Sequence, residues 1–324
     1  MIEVSKMDFK HPSPVKYQKL IEDSDNDTVR DKYKKLFLKE LFEDEYLPRD
    51  IYQQIILYIE DWSIEDILHV VFYLEYLADL INDSADLLIT LNENLHNKNA
   101  YHFMKLKKER LIQISVLSHH YLNSLYALFG SYSTVSAQVI LRAMIELHIN
   151  SSYMYLTPNN ENLNKLMVSE IELGLKGVKS LLSIYKKSGR KTATKTYQST
   201  YKLLVSRKKH WGGIPAPSVI ERARQYDKKR NSTLLEEGYL FWYGKFSAPV
   251  HANSTILNRL MRGKAITIVG MLEDFQEVIE LACMHHLSIL ELLDIKVNKN
   301  RKTTKLMFQK FDKILETPRY KTTA

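Results

Sequence analysis

A chain of 324 residues, 45% apolar and 26% charged, has the make-up of a soluble globular protein with enough length for a real core. Its 46 Lys and Arg against 38 Asp and Glu give a net charge of +8, which points to an anionic partner. The single cysteine, Cys283, excludes an internal disulfide framework and a cysteine-built zinc site, and fits a reducing cytoplasm; ten glycines and eight prolines are too few for a turn-rich sheet protein and favour long helices.

Met1–Lys10 is mixed and charged, without the apolar stretch of a signal peptide. The region up to about Leu47 is mildly acidic, with a loop at Asp23–Asp27 and a helix predicted near Thr28–Glu43. A second helix is predicted from Pro48 or Arg49 to Glu60. Ser63 and Asp66 then resemble a capping pair that opens a long helix through Ile64, Ile67, Val70, Val71, Leu74, Leu77 and Leu80 to about Leu95. Asn97–Ala100 makes a turn, and another long helix runs to Leu128. Two such helices joined by a short turn suit an antiparallel hairpin of a bundle. The longest uncharged run, Tyr121–Leu141, is interrupted by Gly130 and by polar side chains, so no membrane span is expected.

The stretch from Ser133 to Thr157 is apolar on almost every side, through Val135, Val139, Ile140, Leu141, Met144, Ile145, Leu147, Ile149 and Tyr153. Ser133 or Thr134 can cap it and Pro158 stops it, so a buried central helix is predicted. It carries one Arg and one Glu, Arg142 and Glu146, four residues apart and therefore on one face. They continue the stripe Val135, Val139, Ile149 and Tyr153, so they are expected to point inward. An inward pair is either a structural ion pair or a polar catalytic or binding site within the bundle.

Glu161–Lys187 has helical spacing. From Gly174 to Ile220 there is no Asp or Glu, while Lys and Arg accumulate, ending in Arg207, Lys208 and Lys209, with Tyr197, Tyr201 and Trp211 interleaved. This segment is either a solvated loop or a cationic, aromatic surface for nucleic acid, since phosphate neutralisation and base stacking use these residue types. His210–Ser218 is a turn-rich connector to a short helix at about Ser218–Tyr226, and Ser232 can cap the next. Ser247 is the expected cap of a helix with Pro249 in its first turn, which sets His251 near the positive end of a helix dipole and disfavours its proton. A last long helix is predicted at Ile266–Leu293. The basic tail Lys296–Lys321 is expected to be solvated.

No phosphate-binding glycine loop, HExxH, GxSxG or CxxC occurs, and no cofactor is expected. The pairs His119–His120 and His285–His286 are adjacent in sequence and so face different sides of a helix, which makes neither a two-ligand metal site; no metal site is expected. Arg142, Glu146, His148 and His251 remain as the candidate catalytic set. The spacing from Arg142 to His148 resembles the Arg-x(4–6)-His signature of HEPN domains, helical modules that often act as metal-independent ribonucleases. Six residues correspond to about 240° of helical rotation, so His148 shares a face with Arg142 only in a distorted helix, and His251 is the alternative partner.

Three segments together, Ser136–Leu156, His210–Ala223 and Trp242–Ser254, resemble an uncharacterised bacterial helical family marked by an Arg-x-x-x-Glu helix, a Trp-Gly connector and a Ser-x-x-x-His helix start. The resemblance covers Leu111–Leu260 and implies a helical fold with Arg142, Glu146, Trp211, Ser247 and His251 as key positions. It implies no biochemical activity.

The expectation is therefore an all-α bundle of long antiparallel helices around the helix at about 133–157. It divides into an acidic N-terminal helical region (1–98), a helical core (99–295) and a basic tail (296–324). The function expected is a cytoplasmic protein acting on RNA through a HEPN-like site in stress or anti-phage defence, with a homodimer as one assembly. His251 or His148 would be the general base toward a ribose 2′-OH, Arg142 would stabilise the phosphate and Glu146 would orient Arg142, while Arg207, Lys208, Lys209 and Trp211 would hold nucleic acid. The alternative is a non-catalytic binding or scaffolding module with a structural Arg-Glu-His network.

Overall fold

A computed structural model describes residues 17, 19–21, 23–24, 26–43, 49–57, 64–97, 102–131, 134–243, 268–297 and 301–316. The described residues are all-α, with no strand among them. The helices are α1 (Asp27–Glu43), α2 (Arg49–Leu57), α3 (Ile64–Asn97), α4 (His102–Ser131), α5 (Thr134–Met154), α6 (Glu161–Lys187), α7 (Lys191–His210), α8 (Val219–Arg230), α9 (Leu234–Gly238), α10 (Ile268–Val297) and α11 (Lys302–Glu316). A π-helical turn, Tyr239–Tyr243, follows α9.

The core is a seam of long helices. Leu141, Met144, Ile145 and Ile149 of α5 are fully buried, as are Leu287, Ile289, Leu290 and Leu293 of α10, and these two helices pack most extensively on each other. Contacts along the seam set the directions. His148 meets His285, and Tyr155 lies by Lys296, so α5 and α10 run parallel. Ser118 meets His286 in mid-helix, while Lys107 and Lys296 approach one ring at the end, so α4 runs antiparallel to α10. Ser84 of α3 meets His119 of α4 midway along the hairpin predicted from the Asn97–Ala100 turn. One hydrophobic cluster joins residues from Tyr17 to Phe311.

The end of α5 is finished by other elements. Its last turn tightens, with Tyr155 N–H donating to Ser152 O and Leu156 N–H to Tyr153 O. Side chains supply further donors to the carbonyls here: Asn162 Nδ2 donates to Tyr153 O at 2.8 Å, Lys107 Nζ to Thr157 O at 2.8 Å, and Lys229 Nζ to Leu156 O. A helix terminus left without such partners inside a fold is costly.

Three segments differ from the sequence-based expectation. Helix α5 is not apolar to its whole circumference in effect, because Val139 is 43% exposed and the face that carries Arg142 is half-open. The acid-free stretch is not a loop: α7 forms a twenty-residue helix folded back on α6. Gly189, at φ +67°, makes the turn between them, and Leu204 packs over Gly174, its Cδ1 3.6 Å from where a Cβ would stand. Tyr185 and Tyr197 stack across the turn with ring centroids 5.3 Å apart. The basic tail starts as a helix rather than solvated chain, since Thr304, Met307 and Phe311 lie at helical spacing and bury against the body.

The seam carries the stability. Ile149→Ala and Leu290→Ala are each expected to cost about 2–4 kcal/mol in urea unfolding, from lost burial plus the cavity left behind. Leu203→Ala, on the outer face of α7, is expected to stay within about 0.5 kcal/mol.

Candidate functional site

On the half-open face of α5, Arg142, Glu146 and Asn150 follow one another at four-residue steps. Arg142 Nε is 3.9 Å from Glu146 Oε1, and the two side chains are 27% and 35% exposed. The pair expected to point inward thus reaches solvent, and the inward reading is corrected accordingly. The turn between α7 and α8 brings a second arginine to this face. Gly212 and Gly213, at φ +90° and +72°, reverse the chain after Trp211. Ala216 N–H then donates to Ser169 Oγ at 2.8 Å, which ties the connector to α6. Ser218 caps α8, accepting from Glu221 N–H, and buried Asp227 accepts from Glu236 N–H at 2.8 Å at the other end.

Held at both ends, α8 directs Arg222 onto α5. Its residue is 8% exposed, and Nη1 donates to Asn150 Oδ1. Nε has no acceptor. Burial disfavours the Arg222 charge, while Glu146, Tyr153 and Tyr239 favour it. A guanidinium keeps its proton under these conditions, so the face presents two arginines about one carboxylate.

His148 does not join them. It sits on the side of α5 turned to α10, with its Nδ1 2.9 Å from His285 Nδ1. The residue is half-buried, and burial pushes its pKa down to about 4. The HEPN-like spacing therefore does not set His148 beside Arg142, for the rotational reason given above. The residue instead belongs to a polar layer crossing the bundle. Burial, and then the neighbouring His148, hold His285 well below the ordinary histidine range. Burial and then His119 push His286 down to about 3. Ser118 Oγ is 2.9 Å from His286 Nδ1, and Ser84 Oγ is 2.7 Å from His119 Nδ1. Ser84 already donates to Ile81 O at 2.8 Å, so its oxygen accepts from His119, which fixes the proton on Nδ1. As expected from their adjacency, His285 and His286 face different neighbours, α5 and α4. Among the described residues no three His, Cys, Asp or Glu side chains are placed to hold a metal ion.

The basic candidates lie at the base of the α6–α7 arm. Arg207 and Lys209 are exposed, whereas Lys208 Nζ is 2.6 Å from Glu172 Oε1, an acid just outside the acid-free run. Trp211 is half-buried at the end of α7, its ring 5.3 Å from His210. Ser247 and His251 lie outside the described residues.

The structure thus brings Arg142 and Glu146 together and adds Arg222 and Asn150, which sequence reasoning passed over. A signal existed: Asn150 is one turn beyond Glu146 on the same face, and Arg222 lies in the connector segment already singled out. Among the described residues no helix is long and apolar enough to cross a membrane.

Residues 108–267 match the model of a family of unknown function (DUF5677). The matched stretch nearly coincides with 111–260, on which the resemblance to an uncharacterised helical family rests, and it contains Arg142, Glu146, Asn150 and Arg222. No curated protein and no solved structure matches the chain.

Two measurements follow from this geometry. The folded state keeps His148 and His286 neutral, whereas the unfolded chain takes up their protons near pH 6.5. Stability is therefore full above about pH 7 and falls as the pH drops toward 4; each of these histidines is expected to cost roughly 1.5–2 kcal/mol between pH 7 and pH 5. His148→Leu or His286→Leu should flatten that part of the profile in urea titrations. Arg142→Ala, which removes a half-open pair, is expected to change stability by less than about 1 kcal/mol. Arg222→Ala strips a buried donor from Asn150 and is expected to cost roughly 2–3 kcal/mol.

Proposed function

We propose that the chain is a helical RNA-binding protein whose α6–α7 arm is the docking element. The observation that carries this reading is the distribution of charge on that arm. Eleven Lys and Arg fall between residues 174 and 220 without one acid, and α7 buries none of its residues in the body. A helix free of core duties keeps most of its cations at the surface. Lys179 lies over the Tyr201 ring at 5.8 Å, and a surface groove between the two helices is lined by Lys179, Lys186, Lys202, Gln198 and Tyr201. Ammonium groups spaced along a groove suit phosphates, and a tyrosine face suits a base. Cytoplasmic work in stress or anti-phage defence is the setting proposed with it.

A second reading adds chemistry and rests on the face of α5. There Arg142 and Arg222 would hold a scissile phosphate, Glu146 would keep the Arg142 fork oriented, and His251 would act as general base on a ribose 2′-OH. Arg222 Nε, a buried donor without an acceptor among the described residues, favours this reading over a purely structural network. His148, enclosed against His285, takes no part in it.

Binding and cleavage are separable by experiment. Replacing Arg207 and Lys209 by Ala is expected to weaken binding to a labelled single-stranded RNA and to reduce the slope of log K against log salt by about 1–2, since each lost phosphate contact releases about one fewer counterion. Lys208→Ala, which only frees Glu172, should change the slope less. An unchanged slope in the double variant counts against the arm. Cleavage in the presence of a chelator, lost in a folded Arg142→Met variant that still binds, would identify the second reading; intact RNA leaves the binding module.

A further inference from the structure

At the end of the bundle where α4 begins and α5 and α10 finish, a cavity of about 430 Å³ opens beside Tyr155. Lys107 and Lys108 of α4, the corner from Thr157 to Asn160, and Lys296 of α10 complete its wall. Lys107 is 5% exposed. Its Nζ donates to Thr157 O at 2.8 Å and lies 5.4 Å from the centre of the Tyr155 ring; Lys296 Nζ lies 5.3 Å from the same centre. A buried ammonium is ordinarily matched by a carboxylate. Among the described residues no acid lines this cavity, and neither Lys107 nor Lys296 makes an ion pair.

The two cations instead work against each other. Burial, and then the charge on Lys296, push the Lys107 pKa down to about 8. The carbonyl of Thr157 and the ring of Tyr155 give Lys107 only partial compensation, leaving ammonium protons without an anionic acceptor. One dianionic group would satisfy both lysines and end their repulsion. The remaining wall is largely apolar, through Tyr155, Pro158 and the lysine stems, and its volume matches that of small-molecule sites.

We propose that this cavity binds a small phosphate monoester of nucleotide size, with the phosphate between Lys107 and Lys296 and the organic body along Tyr155 and Pro158. The site is separate from the α6–α7 arm and goes beyond the RNA-binding reading. Phosphate fits better than a carboxylate because a single head group brings two charges to two ammoniums. The titratable groups on the wall are Lys107, Lys108, Lys296 and Tyr155, and burial raises the Tyr155 phenol, so it stays neutral. Binding of an anion therefore acts on the lysines and draws a proton onto Lys107 near pH 8.

The test is calorimetry and thermal unfolding of the full chain with AMP as the phosphate monoester, and with adenosine and inorganic phosphate as its two halves. AMP is expected to bind at one saturable site and to raise the unfolding temperature, with both halves weaker by about tenfold or more. At pH 8 the binding heat should vary with the ionisation enthalpy of the buffer, reporting proton uptake. Lys107→Met and the exposed Lys296→Gln should each weaken AMP by about tenfold, whereas Lys202→Ala on the arm should leave it unchanged. Should Lys107→Met fail to fold, Lys296→Gln and the proton uptake still decide. No AMP binding, equal binding of adenosine, phosphate alone as tight as AMP, or undiminished binding in Lys296→Gln would each overturn the proposal.

Discussion

The contact on which the molecule rests is the parallel seam between α5 and α10. It joins helices well over a hundred residues apart in sequence, and it does so with Leu, Ile and Met packed above and below one polar pair, His148 with His285. A half-buried and a buried imidazole at 2.9 Å accommodate one proton between their facing nitrogens, and enclosure disfavours a positive charge on either, so the pair is most stable when neutral. A slip of one helix along the other by a turn would bury each ring against aliphatic side chains without a partner. The pair therefore serves register as well as cohesion, in the manner of a single polar position within an apolar helix interface.

Around this seam the long helices were legible in the sequence because their apolar spacing is long and uninterrupted. Helices α3, α4, α5 and α10 each bury residues at three- and four-residue steps that the sequence displays openly. The face of α5 was harder. Its stripe of Val135, Val139, Ile149 and Tyr153 suggested burial for the charges lying on it, but apolarity tells what a helix can bury and not how much a neighbour covers. Val139 is exposed, while Ile149 and Tyr153 on the same stripe are enclosed. Helix α7 was illegible for the opposite reason. None of its residues is fully buried, and its stripe of Ala193, Tyr197, Tyr201, Leu204 and Val205 is only half-covered and set among lysines and hydroxyls; its structure rests on packing against α6, with Leu204 over Gly174 and the Tyr185–Tyr197 stack at the turn.

The candidate site was legible in part. Charge within an apolar helix drew attention to Arg142 and Glu146, and the structure keeps them together. The spacing to His148 proved to belong to a different surface, because six residues turn the helix toward α10. Arg222 could not be read as buried, since α8 is polar along most of its length and only Arg222, Ala223 and Asp227 are enclosed. Burial of an arginine in so polar a helix follows from the position of the helix and from no pattern within it.

These placements separate the energetic roles of the two arginines. Arg142 holds a half-open, loosely spaced pair, which contributes little to folding because solvent screens it. Arg222 is enclosed and bonded to Asn150, and its loss would leave that amide without its donor. The chain can therefore vary Arg142 at small cost to the fold, whereas Arg222 is fixed by the fold itself. A half-open arginine and an enclosed one thus place positive charge about Glu146 on this face. By the same reasoning, any substitution survey of this face should find tolerance at Arg142 in folding and intolerance in function if the face acts on RNA. Tolerance in both would leave Arg142 and Glu146 as surface charges and confine nucleic-acid affinity to the cations of the α6–α7 arm.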